Sequence, residues 1–198
     1  MNQWDEKFQE EGYLYGTEAN EFIKLWGQKL AKGNLLAIAE GEGRNAAFLS
    51  ELGNDVTTWD YSKVGVEKTI KLAKDKGVTV KALLNDLETV EWEQEKWDLI
   101  VNVFGHLPPD LLTRTLAGIE KSLKRGGVYV TEVYSTKQIQ YGTGGPKSLE
   151  LLYEPQIFLD AFKDWRFIHF FYGEVERHEG DSHNGVCHVI QLVVQKPL

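Results

Sequence analysis

One cysteine in 198 residues, Cys187, leaves nothing with which to build an internal disulfide framework or a four-cysteine zinc cluster. Its setting, VCHVIQLVV, suits a buried core thiol better than a reactive nucleophile. No apolar run is long enough to span a bilayer. The opening MNQWDEKFQEEGYLYG is acidic and aromatic where a secretory signal needs a basic start and an apolar stretch, so a cytoplasmic location is expected. Basic residues are outnumbered, 22 Lys and Arg against 30 Asp and Glu, and the resulting net charge of -8 opposes attraction to phosphate backbones. Nucleic acid and membrane are therefore not expected partners, and a small-molecule substrate is. There is no internal repeat and no low-complexity segment. The length suits one domain over residues 1–198, with a hydrophobic content of 42% and a charged content of 26% that belong to a globular chain; monomer and homodimer both remain open.

What is present alternates. Phe22, Ile23, Trp26 and Leu30 fall at helical spacing over 20–32, with Asn20 as cap and Gly33 as stop. LLAIA reads as a strand buried on both faces, 44–52 as a helix ending at Gly53, DVTTWD as a strand, and VGVEKTIKLAKDKG as a helix. VTVKALL and WDLIVNVF follow as strands. PPDLLTRTLAGIEKSLKRGG reads as a helix with Pro109 in its first turn, Gly126 at its exit and a stripe of Leu112, Leu116, Ile119 and Leu123. GVYVTEVY is a fifth strand, and a short helix lies near PQIFLDAF. Last come WRFIHFFYGEV and VCHVIQLVVQ, two strands joined by the polar stretch ERHEGDSHNG with no helix between. This order predicts an α/β fold, a mostly parallel sheet with right-handed crossovers, helices on both faces and an added antiparallel strand. Ligands of such sheets bind beyond the carboxyl ends of the strands, which here carry AEGEG, WDYS, NDLE and NVFGH.

Gly41 and Gly43 allow a tight turn after the first strand and a close ligand approach. Asp60, nineteen positions after Gly41 at the end of the second strand, can accept from both hydroxyls of a ribose. Gly41, Gly43 and Ala46 also satisfy the G-x-G-x-x-A fingerprint for dinucleotides. Glu40 and Glu42 argue against a phosphate at that turn and suit a ligand bearing an ammonium and a sulfonium. No Walker lysine is present, and no tyrosine is followed by lysine four residues on, as in short-chain dehydrogenases.

Together AEGEGRNAAFL, WDYS, LLNDLE and KRGG before a strand resemble class I S-adenosylmethionine-dependent methyltransferases over roughly residues 33 to 135. The flanks, WDEKFQEEGYLYGTEANEFI, YGTGGPKSLELLY and HEGDSHNGVCHVIQLVVQKP, are similar to a small-molecule branch that includes tellurite-resistance methyltransferases. The resemblance implies a three-layer Rossmann-like fold with a seven-stranded sheet and an antiparallel C-terminal strand, residues 1–32 forming a helical cap or lid on a core of residues 33–198. It implies S-adenosyl-L-methionine as cofactor. Ala39, Glu40, Gly41 and Gly43 would line the methionine half and Asp60 hold the ribose. Tyr61, Asp86 and Leu87 would meet the adenine, and Val103 and Phe104 would form the floor, with Tyr15 and Asn45 completing the cofactor set. Tyr13, Arg44, His106, His178 and His183 make the candidate acceptor set. The family commonly has an acid within the first strand and a glycine just after it; here those positions are Ala37 and Ala39, and Glu40 is the acid available to replace the carboxylate.

Tyr13 and Tyr15 divide between N-terminal packing and a lid whose aromatic faces meet the sulfonium. His178, Glu179, Asp181 and His183 sit in a stretch without the fixed spacing of a metal site, so no metal is expected. A soft anionic acceptor, a thiol or a metalloid oxyanion, needs no proton removed. A hydroxyl or amine needs a base, for which His106 and His183 are candidates. Two other readings stand beside methyl transfer: a nicotinamide-dependent reductase, and a non-catalytic module that binds S-adenosylmethionine.

Overall fold

In the computed structural model, which describes residues 2–180 and 183–198 with the side chain of His183 left out, local chemistry sets the element ends. Helix α1 (Gln3–Phe8) starts at a capping box, where the Asn2 side chain accepts from Trp4 and Asp5 N–H and the Asp5 carboxylate accepts from Asn2 N–H. Helix α2 (Glu21–Lys29) is capped by Asn20, as the sequence suggests. Strand β1 (Asn34–Ile38), helix α3 (Arg44–Glu51), strand β2 (Asp55–Asp60), helix α4 (Lys63–Asp75, capped by Ser62), strand β3 (Val80–Leu84) and strand β4 (Trp97–Val103) follow in order. Helix α5 (Pro109–Ser122), strand β5 (Leu123–Tyr134), two short 3-10 turns, helix α6 (Pro155–Ala161), strand β6 (Arg166–Glu179) and strand β7 (His183–Gln195) complete the chain.

The sheet runs β3-β2-β1-β4-β5-β7-β6, parallel except for β7, which lies antiparallel between β5 and β6. Its order reverses between β1 and β4, so their carboxyl ends border a natural crevice. Successive residues of β1 enter opposite cores. Leu36 and Ile38 join Leu112, Leu116, Ile119, Phe158 and Phe162 on one face, while Leu35 and Ala37 join Phe22, Ile23, Ala46 and Leu49 on the other. That two-sided burial is why β1 reads as an unbroken apolar run. No helix among the described residues is long and apolar enough to cross a membrane.

Two boundaries differ from the periodicity reading. Helix α5 ends at Ser122 rather than near Gly126, because Leu123 turns extended and pairs with Trp97 at the foot of β4. Strands β6 and β7 also run on into the polar ERHEGDSHNG stretch, since Arg177 and Glu179 point inward to buried ion pairs.

Candidate functional site

The backbone turns left-handed where β1 and β4 end: Ala39 has φ 49°, Gly41 67°, Gly43 91° and Phe104 54°. An L-residue with a side chain disfavours that region, so Ala39 holds strain that glycine would not. The glycines have local reasons. A Cβ on Gly43 would stand 2.8 Å from the Cα of Thr69 in α4, and one on Gly41 would stand 3.2 Å from the ring of Phe8 in α1. The close approach at this turn is therefore made first by α4 and α1.

Asp60 is buried at the end of β2, where burial raises its carboxyl above the usual range. Its Oδ2 accepts from Gly41 N–H at 2.7 Å and its Oδ1 from Ser62 N–H at 2.8 Å. Each carboxylate oxygen can accept a second hydrogen bond, which keeps Asp60 competent to hold a diol. Beside it Tyr61, Asn85, Asp86, Thr89 and the N-terminal Asn2 border an open cleft of about 620 Å³, a volume in the range of small-molecule sites. Leu87 instead packs on the core below.

The two acids of the turn take different tasks. Glu40 Oε1 accepts from Ala46 N–H at 2.7 Å, and burial pushes its carboxyl up to about 7 against the lowering effects of that bond and of Arg44. Glu42 is buried and already neutralised, receiving Lys68 Nζ at 2.8 Å and Leu14 N–H at 2.8 Å. Only Glu40 keeps the electrostatic character expected of both.

Several candidate residues bind the protein to itself. Asn45 is buried and accepts from Asn20 N–H. Arg44, also buried, donates to Glu179 at 2.6 Å and to the carbonyls of Tyr15 and Glu18. Tyr15 lies under that guanidinium, and burial lifts its hydroxyl to about 12. Tyr13 sits beneath Lys68, with desolvation raising its hydroxyl too. Val103 ends β4 and Phe104 follows it, its ring stacking on Tyr134 at 4.5 Å.

His106 is held from both sides. Its Nδ1 lies 2.6 Å from the Leu151 carbonyl, which can only accept, and its Nε2 receives Tyr134 N–H at 3.3 Å. Burial holds the ring neutral, down to about 4. No lone pair is left on it to take a proton from an acceptor. His178 is exposed near the end of β6 beside Glu176. Asp181 and the side chain of His183 lie outside the described residues. Among those described, no group of three or more His, Cys, Asp or Glu is placed to hold a metal ion.

Sequence reasoning did not single out Glu132, a fully buried acid on β5 that pairs with Arg177, or Asn20 as more than a cap, although its amide donates to both Glu132 and Glu179. The available signal was charge at alternate positions of a strand: Arg177 and Glu179 share one face of β6.

Comparison with known proteins places the fold among methyltransferase-like neighbours. Residues 35–127 match the family model described as a methyltransferase domain. The "Probable S-adenosyl-L-methionine-dependent methyltransferase TehB" of Haemophilus influenzae (strain 10810) is 24% identical over 151 residues, 75% of this chain and 51% of that protein. The chain thus spans about half the length of the curated relatives it matches. Among solved structures, TehB from Haemophilus influenzae superposes with a TM-score of 0.74 at 19% identity, covering 90% of this chain and 62% of that one. The protein of "Conversion of a Disulfide Bond into a Thioacetal Group during Echinomycin Biosynthesis" superposes at 0.76 and 16% identity, covering 96% and 85%. An S-adenosylmethionine-dependent methyltransferase from Clostridium acetobutylicum ATCC 824 superposes at 0.65 and 14% identity, covering 90% of each. Residues 35–127 thus match a methyltransferase-domain model, and the chain resembles TehB in sequence and in fold.

Proposed function

We propose that this chain transfers a methyl group from S-adenosylmethionine to a small soft nucleophile, a thiolate or a metalloid oxyanion. The observation that carries the reading is the locked, neutral His106 at the mouth of β4. The cluster beyond it, Phe104, Tyr134, Leu152, Phe171, Val175 and Val189 around the Cys187 thiol, is apolar in itself but lies within electrostatic reach of the buried Glu132, Arg177 and Glu179, and burial pushes the thiol up to about 12. Those two acids are committed to Arg177 and Arg44, so an acceptor that must be deprotonated finds no uncommitted base there among the described residues, whereas an acceptor that arrives as a polarizable anion needs none. One structural neighbour's described reaction, conversion of a disulfide bond to a thioacetal, also concerns sulfur.

The residues present fit the cofactor. Glu40, with a carboxyl near 7, answers an ammonium; Asp60 offers lone pairs to ribose hydroxyls; the cleft beside Tyr61 and Asp86 has room for a purine. When bound, S-adenosylmethionine supplies an electrophilic methyl carbon on a sulfonium. The chain's own work is then to hold acceptor and donor in line and to exclude water. We assign that exclusion to residues 1–32 as a cap. Its bonds support this: Lys68 donates to the carbonyls of Glu10 and Gly12, Glu42 holds Leu14, and Arg44 holds Tyr15 and Glu18.

Calorimetric titration with S-adenosylmethionine, S-adenosylhomocysteine and NADH tests the cofactor, and label transfer to thiol, metalloid oxyanion, hydroxyl and amine acceptors tests the rest. Micromolar binding of both sulfur ligands with transfer to the soft acceptors is the expected result. Binding without transfer to any acceptor would assign a non-catalytic binding module, and binding of NADH alone would assign a reductase.

A further inference from the structure

The acid at the end of β2 is not held by its own loop alone. Ser62, the buried cap of α4, donates its N–H to Asp60 Oδ1 at 2.8 Å. The Ser62 hydroxyl accepts from Gly65 N–H at 3.0 Å, so its proton is free to go the other way, and it goes to Asp5 Oδ1 at 2.7 Å. Asp5, on α1 and fifty-seven positions away, is itself buried and also accepts from Val64 N–H at 3.3 Å and from Asn2 N–H at 3.1 Å. The hydrogen bond from Ser62 holds its carboxyl below the usual range, which keeps it an acceptor. Around this chain α1 closes the crevice at two more places. The Asn2 amide donates to the Tyr61 carbonyl at 2.8 Å, and the Phe8 ring covers Gly41, whose N–H occupies the other oxygen of Asp60.

We infer that Asp5 is a positioning residue for the ribose acid Asp60, acting through the doubly bonded Ser62, and that α1 is a working wall of the cofactor site. The inference rests on the reading of Asp60 as the ribose acid. A carboxylate must present its remaining lone pairs in a fixed direction to receive two hydroxyls. Ser62 and Gly41 set that direction, and each is fixed by a side chain from α1. Without Asp5 the Ser62 hydroxyl loses its acceptor, the first turn of α4 loosens, and Asp60 can still bind but no longer in one orientation.

The test is a double-mutant cycle read with two ligands: S-adenosylhomocysteine and its 2′-deoxy analogue, which lacks one of the hydroxyls Asp60 would receive. We expect Asp60→Ala to weaken binding of the ribose ligand roughly tenfold to a hundredfold and to abolish discrimination against the deoxy analogue, the scale of a lost hydrogen bond to a charged group. Asp5→Ala is expected to reduce that discrimination by at least fivefold, to add little in the Asp60→Ala background, and to be rescued by Asp5→Asn, which keeps an oxygen for Ser62. A purely structural role would weaken both ligands in proportion and leave discrimination intact; that result, or additive effects in the cycle, overturns the inference. If Asp60→Ala binds the ribose ligand as the wild type does, the ribose reading itself fails and Asp5 positions nothing. If Asp5→Ala does not fold, Ser62→Ala carries the same comparison: lost discrimination supports the relay and full discrimination overturns it.

Discussion

At the scale of single residues, environment rather than residue type separates the acids. Glu40 and Glu42 stand two positions apart, yet Lys68 neutralises one while burial pushes the other up to about 7. The sign of the consequence follows. Below pH 7 Glu40 is protonated in the free protein and offers an ammonium no charge. Cofactor affinity is therefore expected to fall as pH drops from 7 to 5.5, approaching about tenfold per unit, the limit for one linked proton. Calorimetry at pH 5.5, 6, 6.5 and 7 checks this, and Glu40→Gln should flatten the profile; a wild-type profile already flat would place the ammonium elsewhere. The same elevation acts on the free protein in the opposite sense. Because the folded value lies above the ordinary 4.5, this group's contribution to stability is present at low pH and is lost as pH rises through about 7. Asp60→Ala should cost about 1 to 3 kcal/mol of cofactor binding, as expected for an abandoned charged hydrogen bond.

At the scale of elements, His106 ties the loop after β4 to β5 and to the turn at Leu151, and its ring stacks between Tyr134 and Tyr153. His106→Phe keeps the stacking and orphans a buried carbonyl and N–H. The expected loss is about 1 to 3 kcal/mol in urea unfolding, with methyl transfer to a thiol changed less than threefold. A hundredfold fall in rate together with a lost pH dependence would make His106 the base after all. The second tie joins more elements. Arg44 at the start of α3, Glu179 on β6 and the carbonyls of Tyr15 and Glu18 meet at one guanidinium, and the tip residue Gly180 seats so closely that a Cβ there would lie 2.5 Å from the carbonyl carbon of Tyr15. Without Arg44 the Glu179 carboxylate keeps Arg177 at 3.6 Å and the Asn20 amide, so Arg44→Met should destabilise by about 1 to 3 kcal/mol, less than the loss of a sole partner would. Adding Glu179→Gln should restore part of that loss; an additive double variant would show that the pair is not coupled.

At the scale of the whole molecule, the N-terminal segment, the glycine turn and the hairpin are tied together, so a ligand bound in the crevice is expected to bind only the assembled fold. S-adenosylhomocysteine at a hundred times its dissociation constant should then add about 2.7 kcal/mol to stability. For a chain of this size that is a rise of roughly 5 to 10 °C in Tm. Thermal unfolding with and without the ligand measures it, and an unmoved transition at saturating ligand would mean that the ligand is held equally by unfolded chain or not held at all.

The sequence by itself determined the layering of this protein and the order of its elements. Period-two burial turned LLAIA and WDLIVNV into two-faced strands, helical spacing and Asn20 began α2, and the missing helix before the last strand announced an antiparallel β7. These are local signals, carried by residues within one or two turns of each other. Pairings across the chain were decided by tertiary structure alone. Glu132 meets Arg177, Arg44 meets Glu179, and Asp5 reaches Ser62, and these partners stand 45, 135 and 57 positions apart. Charged residues are costly to bury alone, so nothing within the polar stretch between the last strands marks which of its members lie inside. Its Arg177 and Glu179 are buried because residues distant in sequence supply the opposite charges, and that compensation exists only once the sheet has brought them together.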